Sequence, residues 1–196
     1  MSKIKQQRTT QILQAAMRLF STKGFHATTI PDIARSLGMS AGNLYNYFGS
    51  KELLAQEIIR YTSDVLGEHF HHINEMEIDT RTKIHKIVRV YFDIAQNQPE
   101  MIEYFLRVYL SHREVFGDGC EGMVCVRSFM TEIMILFDEG VASGELRDQD
   151  FFSAFGLFMG YLGGMVYLQG EGVLPQSLDH YVDAIADNIY AALKAP

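Results

Sequence analysis

At 196 residues the chain has room for one domain or two small ones and for a sizeable core. Its formal charge of −7 hides a basic head: residues 1–60 hold 8 Lys and Arg against 3 Asp and Glu, whereas 61–196 hold 9 against 21. Two cysteines, Cys120 and Cys125, are too few and too oddly spaced for a disulfide framework or a CxxC site, residues 1–11 are polar and basic instead of an apolar leader, and a reducing cytoplasm is the expected setting.

Lys3, Lys5 and Arg8 form a basic arm, suited either to lying along a polyanion or to serving as a solubilising tail. Residues 9–22 then carry Ile12, Leu13, Ala16, Met17, Leu19 and Phe20 at helical spacing, and Gly24 stops the helix. Phe25 is placed to seal a small core.

Residues 28–54, TTIPDIARSLGMSAGNLYNYFGSKELL, read as a helix, a tight turn and a second helix. Thr28 or Thr29 can cap the first helix, Pro31 fits its first turn, and Ile33, Ala34 and Leu37 make one apolar stripe. Gly38 ends that helix and Ser40 caps the next, leaving a three-residue turn of Gly38, Met39 and Ser40. A turn of this length sets two helices at roughly 90–120°, the arrangement that lays a second helix in the DNA major groove with its N-terminal residues toward base edges. Ala41 and Gly42 leave room for close approach, Asn43 can hydrogen-bond a base, and Leu44 and Phe48 point back into the core. Tyr45 and Tyr47 can reach phosphates. Ser50 caps a further helix whose first residue is Lys51, an ammonium near a helix start that already favours phosphate.

The pattern T-T-I-x-D-I-A-x-x-L-G-M-S-x-G-x-L-Y-x-Y-F-x-S-K-E-x-L resembles the DNA-binding signature of the TetR/AcrR family of bacterial transcriptional regulators, a likeness covering roughly residues 8–54. The resemblance implies an all-α protein, with a three-helix helix-turn-helix domain over 1–50 and a helical effector-binding and dimerisation domain over 51–196. It implies a cytoplasmic homodimer that represses from a palindromic double-stranded operator and is released by a small apolar or amphipathic effector. Thr28, Ser40, Ala41, Gly42, Asn43, Tyr45, Tyr47 and Lys51 match positions where the family contacts DNA. Asn46 stands at a variable position between the tyrosines and can touch a base or a phosphate.

Beyond Lys51 the periodicity continues through Leu54, Ile58, Tyr61, Val65 and His69 without a linker, so one helix is expected to serve both domains. His69 and His72 share a spacing of three but have no acidic or Cys partner at a helpful distance. No metal site is expected, and His69 reads as a core or pocket histidine. Residues 80–98 repeat Ile84, Ile87, Val88, Tyr91 and Ala95 on one stripe, and Pro99 opens a helix that is apolar nearly all round over 101–110, with Glu103 and Arg107 spaced for an ion pair. Gly117, Asp118 and Gly119 mark a loop. Met123, Val126, Met130, Ile133 and Phe137 form another helix, and residues 138–147 resemble, more weakly, the connection before the family's dimerising helices.

Residues 151–170 hold twenty residues without a charge, long enough to span a bilayer. Gly156, Gly160, Gly164 and Gly170, Ser153, a mid-span tyrosine and acidic flanks argue against that. The glycines at spacing four make a smooth face for a second helix. Residues 175–193 follow with Leu178, Val182, Ile185, Ile189 and Leu193, and the two helices are expected to pair with their twofold mates as a four-helix bundle.

Met, Phe and Tyr are abundant beyond Lys51, as in a pocket for an apolar or amphipathic molecule, and equally as in an ordinary core. The expected lining is Tyr61, His69, Tyr91, Tyr104, Phe105, Arg107, Met130, Met134 and Phe158. Arg89, Arg107 and Arg127 suit an anionic head group; Asp93, Glu103 and Asp138 suit a cationic one. No phosphate loop after a strand, GxSxG or HExxH is present, so neither an enzyme nor a cofactor is expected. The competing expectation is a DNA-binding adaptor controlled by a protein partner.

Overall fold

The computed structural model describes the backbone of residues 3–109 and 124–196 and the side chains of 4–106 and 124–196. Its elements are α1 (Lys3–Lys23), α2 (Ile30–Ser36), α3 (Ala41–Tyr45), α4 (Lys51–Asn74), α5 (Thr80–Asn97) and α6 (Pro99–Glu103), the last widening into a π-helical turn (Tyr104–Tyr109). A 3-10 turn (Val124–Val126) leads into α7 (Arg127–Ala142), followed by α8 (Phe151–Gly170), a 3-10 turn (Leu178–Tyr181) and α9 (Val182–Leu193). The described residues are all-α apart from an isolated antiparallel bridge between Leu146 and Lys194. The loop expected at Gly117, Asp118 and Gly119, Cys120 and Met123 lie outside the described residues.

The chain divides into two compact units, residues 1–62 with 99–125 and residues 63–98 with 126–196. In the first, the apolar stripe of α1 (Ile12, Leu13, Ala16, Met17, Phe20) is buried with Phe25, Ile33, Ala34, Leu44, Phe48, Leu54 and Ile58. Helix α1 starts at Lys3, earlier than expected, because residues 3–8 contain good helix formers and no breaker. The segment after Pro99 packs on α1: the Phe20 and Tyr104 rings lie 5.9 Å apart, and the buried Tyr104 hydroxyl donates to the Ala55 carbonyl at 3.0 Å. Burial pushes the Tyr104 phenol well above its usual pKa. The expected Glu103–Arg107 pair cannot be placed, since the Arg107 side chain lies outside the described residues.

In the second unit, α5 buries Ile84, Ile87, Val88, Tyr91 and Ala95, the stripe read from the sequence, together with Phe92. Its exposed flank is paired with α9: Arg81 meets Asp187 at 2.7 Å, and His85 lies 3.1 Å from Asp187 and 3.6 Å from Asp183. The Asp187 carboxyl is held below the usual range by Arg81 first and His85 second. Lys83 is buried, donating to the Asn74 carbonyl (2.7 Å) and to Glu139 (2.9 Å), and Glu145 accepts from the Thr80 backbone and hydroxyl. This polar knot ties the ends of α4, α5 and α7, and it satisfies helix-terminal groups that burial would otherwise orphan. Cys125, in the first unit, is buried and disulfide-bonded, which the two-cysteine count did not suggest.

Helix α8 is long and apolar enough to cross a membrane by composition, yet only 28% of its most apolar window is buried within the chain. Ala154, Phe158, Leu162, Gly163 and Val166 face the core. Phe152, Leu157, Tyr161 and Tyr167 are exposed on the other side. A Cβ added at Gly156, Gly160 or Gly164 would meet nothing within 4 Å. The last helix begins at Val182, after the 3-10 turn, instead of at Pro175.

Candidate DNA-recognition surface

The local geometry of α2 and α3 follows from their caps. Thr29, not Thr28, is the N-cap of α2: its hydroxyl accepts from the Asp32 amide at 3.3 Å, and Asp32 Oδ2 accepts from the Thr29 amide at 3.1 Å, a reciprocal capping box. Helix α2 ends with Gly38 at φ +63°, where the Met39 amide donates to the Ala34 carbonyl (3.0 Å) and the Gly38 amide to that of Arg35 (3.1 Å). This is the left-handed glycine stop expected from the sequence. Ser40 then caps α3, its Oγ accepting from the Asn43 amide at 3.2 Å, and Ser50 caps α4 through the Leu53 amide at 3.1 Å.

Leu44 and Phe48 are buried and hold α3 on the core. Ser40, Gly42, Asn43, Tyr45 and Asn46 are exposed together, with Ala41 and Tyr47 half-buried beside them. These seven are therefore all accessible from outside. Tyr45 is 50% exposed and lines a shallow cleft with Thr29, Pro31, Gly49, Ser50 and Lys51.

Two residues of the expected set are placed differently. Thr28 is 0% exposed; its hydroxyl donates to the carbonyls of Gly24 (2.8 Å) and Leu19 (3.2 Å), so it closes the end of α1 and has no donor to offer outside. Lys51 turns its ammonium inward, 3.0 Å from the Phe25 carbonyl, 3.1 Å from that of Thr28, and 4.3 Å from the centre of the Phe25 ring. Sequence reading also missed Arg8 as a turn support. Its guanidinium donates to the Leu37 carbonyl at 3.3 Å and approaches Met39 Sδ at 3.8 Å, across the turn of the motif.

Asp32 gathers Lys23 (2.8 Å), Arg35 (3.3 Å) and Thr29 (2.8 Å). Its carboxyl is held well below the usual range, first by the Lys23 hydrogen bond and then by Thr29. A depressed acid contributes stability that is complete above the unfolded carboxylate value near pH 4 and is lost as the pH falls through the folded value. Thermal melts followed by circular dichroism between pH 5 and 2 should therefore show a loss in the wild type that is smaller in Asp32→Asn.

The expected effector residues are divided between the two units. Tyr61, Tyr104 and Phe105 belong to the first unit; Tyr91, Met130 and Phe158 are buried in the second, where burial raises the Tyr91 phenol. His69 and Met134 are exposed in the single chain, because the helical line through Tyr61 and Val65 drifts to the solvent side before residue 69. The Arg107 side chain is outside the described residues. A cavity of about 230 Å³ does occur in the second unit, but it is lined by Phe137, Val141, Leu146, Phe151, Ala154 and Leu193, with Asp138, Arg147, Asp148 and Gln149 also at its wall. Of the residues weighed from the sequence as pocket lining or head-group partners, Asp138 alone belongs to it. Among the described residues no group of three or more His, Cys, Asp or Glu could hold a metal ion.

A capped two-helix unit with a polar outward face, carried on an all-helical chain, defines a DNA-binding regulator of the helix-turn-helix class. The model of the bacterial regulatory proteins of the tetR family matches residues 12–58. The HTH-type transcriptional repressor KstR2 of Rhodococcus jostii (strain RHA1) is 35% identical over 157 residues, spanning 72% of this chain and 75% of its own length. The chain belongs to the TetR family of transcriptional regulators. Two solved structures share its fold. FadR of Bacillus subtilis in complex with stearoyl-CoA gives a TM-score of 0.80 at 16% identity, covering 94% of this chain and 98% of that one. The ketosteroid transcriptional regulator KstR2 of Mycobacterium tuberculosis gives 0.71 at 18% identity, covering 96% of each.

Proposed function

We propose that this protein is a cytoplasmic repressor that binds a palindromic operator as a homodimer through the exposed surface of residues 40–47, and is released by a small apolar or amphipathic effector held in residues 51–196. Residues 1–50 act as the reading head. The observation that carries the DNA reading is the outward grouping of Ser40, Ala41, Gly42, Asn43, Tyr45, Asn46 and Tyr47 on a helix fixed by caps at both ends of the turn. Asn43 reads a base edge; Tyr45, Asn46 and Tyr47 position the helix on the backbone.

The homodimer is supported by α8, whose exposed glycines and aromatics leave a smooth apolar face that the described residues of the protomer do not cover. Two recognition helices about 34–36 Å apart then meet successive major grooves, and an effector that favours a different spacing releases the operator. The effector class is supported by the apolar walls of the second unit and by the stearoyl-CoA held in the FadR structure of the same fold.

The test is in-vitro selection of duplexes from a random-sequence library with the purified protein, followed by binding titrations. A palindrome should emerge, and Asn43→Ala should relax the preference at one base pair in each half-site by about 1–3 kcal/mol. Selection of no duplex, with capture of a protein partner on the α8 face and a monomeric mass in light scattering, would favour the partner-controlled adaptor instead.

A further inference from the structure

The peptide joining Thr28 to Thr29 leads into the N-cap of α2, and it is gripped from both sides. Its N–H, on Thr29, donates to Asp32 Oδ2 at 3.1 Å; its carbonyl, on Thr28, accepts from Lys51 Nζ at 3.1 Å. The same ammonium takes the Phe25 carbonyl at 3.0 Å and sits 4.3 Å from the centre of the buried Phe25 ring. Lys51 is the first residue of α4, so one side chain spans from the start of that helix to both ends of the 25–28 segment. Because a peptide group is planar, fixing its two polar ends fixes the plane from which α2 departs, and α3 is bound to α2 by the glycine-stopped turn.

We propose that Lys51 is a positioning residue that latches the start of α4 to the entry of the helix-turn-helix, and that its charge is engaged by protein carbonyls instead of DNA phosphate. This rests on the DNA-binding reading above. An ammonium has three donors, two of which are used here in charge-assisted bonds, the strong kind. Extending the side chain toward a phosphate would draw the ammonium away from both carbonyls and from its place over the ring. The aromatic face adds a further attraction for the cation. The latch also gives α4 a direct connection to the entry of α2, because a displacement of residue 51 along the helix axis pulls on the Thr28 carbonyl.

The latch and a phosphate contact differ in what salt does. The duplex recovered by selection with the wild-type protein is titrated with wild type and Lys51→Met across about 50–200 mM salt, with a scrambled duplex of equal length as reference. Lys51→Met keeps the stem over Phe25 and removes all three donors. The latch predicts a loss of about tenfold or more in affinity for the selected duplex, little change for the scrambled one, and an unchanged slope of log affinity against log salt. A slope smaller by about 0.9 would show a lost phosphate contact and overturn the latch, as would an unchanged affinity. Lys51→Gln, which retains an N–H for one carbonyl, should recover part of the specific affinity and carries the same comparison if circular dichroism shows Lys51→Met unfolded. Failure of the wild type to select any duplex would defeat the DNA-binding reading itself, a different outcome from a changed slope.

Discussion

Gly160→Leu should leave the helical content of the protomer unchanged and dissociate the proposed dimer. Among the described residues nothing lies within 4 Å of a Cβ at Gly160, so the first carbon of the added side chain meets open space in the protomer. Glycine inside a helix costs roughly 0.5–1 kcal/mol relative to alanine. Three such positions, Gly156, Gly160 and Gly164, thus weaken α8 for no gain inside the chain, which points to a gain from a helix that approaches from outside. In a twofold interface the substitution occurs on both sides. Overpacking costs about 1–3 kcal/mol at each, or about 2–6 in all, which raises the dimer dissociation constant about 30-fold to 10⁴-fold. Light scattering at micromolar concentration reads the mass directly. A variant that stays dimeric would move the interface away from this face.

Gly67→Ala should lower stability by about 1–3 kcal/mol, the opposite sign from an ordinary helical Gly→Ala exchange. A Cβ on Gly67 would stand 2.9 Å from Ser128 Cβ, 3.0 Å from the Ser128 carbonyl carbon and 3.1 Å from the Phe129 nitrogen. Two of those neighbours are backbone and cannot rotate away. Relief requires α4 and α7 to separate locally, which loosens the Ser128 hydroxyl from Asp64 (2.5 Å) and the Phe129 amide from Ser63 Oγ (3.5 Å). Urea titration measures the change as a lower midpoint at constant slope. An equal or higher midpoint would mean that the helices yield at no cost.

Where the sequence was most informative, the signals are local. Thr29 with Asp32, Gly38 after Leu37, and Ser40 and Ser50 before their helices each act within about five residues, and each cap or stop is found where its residue type allows it. The alternative of Thr28 or Thr29 as cap could not be resolved locally, since it depends on the end of α1 arriving to bury Thr28. The effector set was the least legible part. Met, Phe and Tyr fill a core and line a pocket equally well, and the two uses differ only in which elements pack against them. His69 and Met134 lie on amphipathic helices close to the boundary between buried and exposed faces, where a drift of one residue decides the side.

The sequence by itself determined the helical class, the order of the capped elements and the regulator family, because periodicity, caps and left-handed glycines are written in near neighbours. Only the tertiary structure decided that Lys51 and Arg8 grip carbonyls, that residues 99–106 pack with the head, and that α8 keeps an open glycine face. Each of these depends on groups far apart in the chain, and a cation reads the same in sequence whether its partner is a carbonyl or a phosphate.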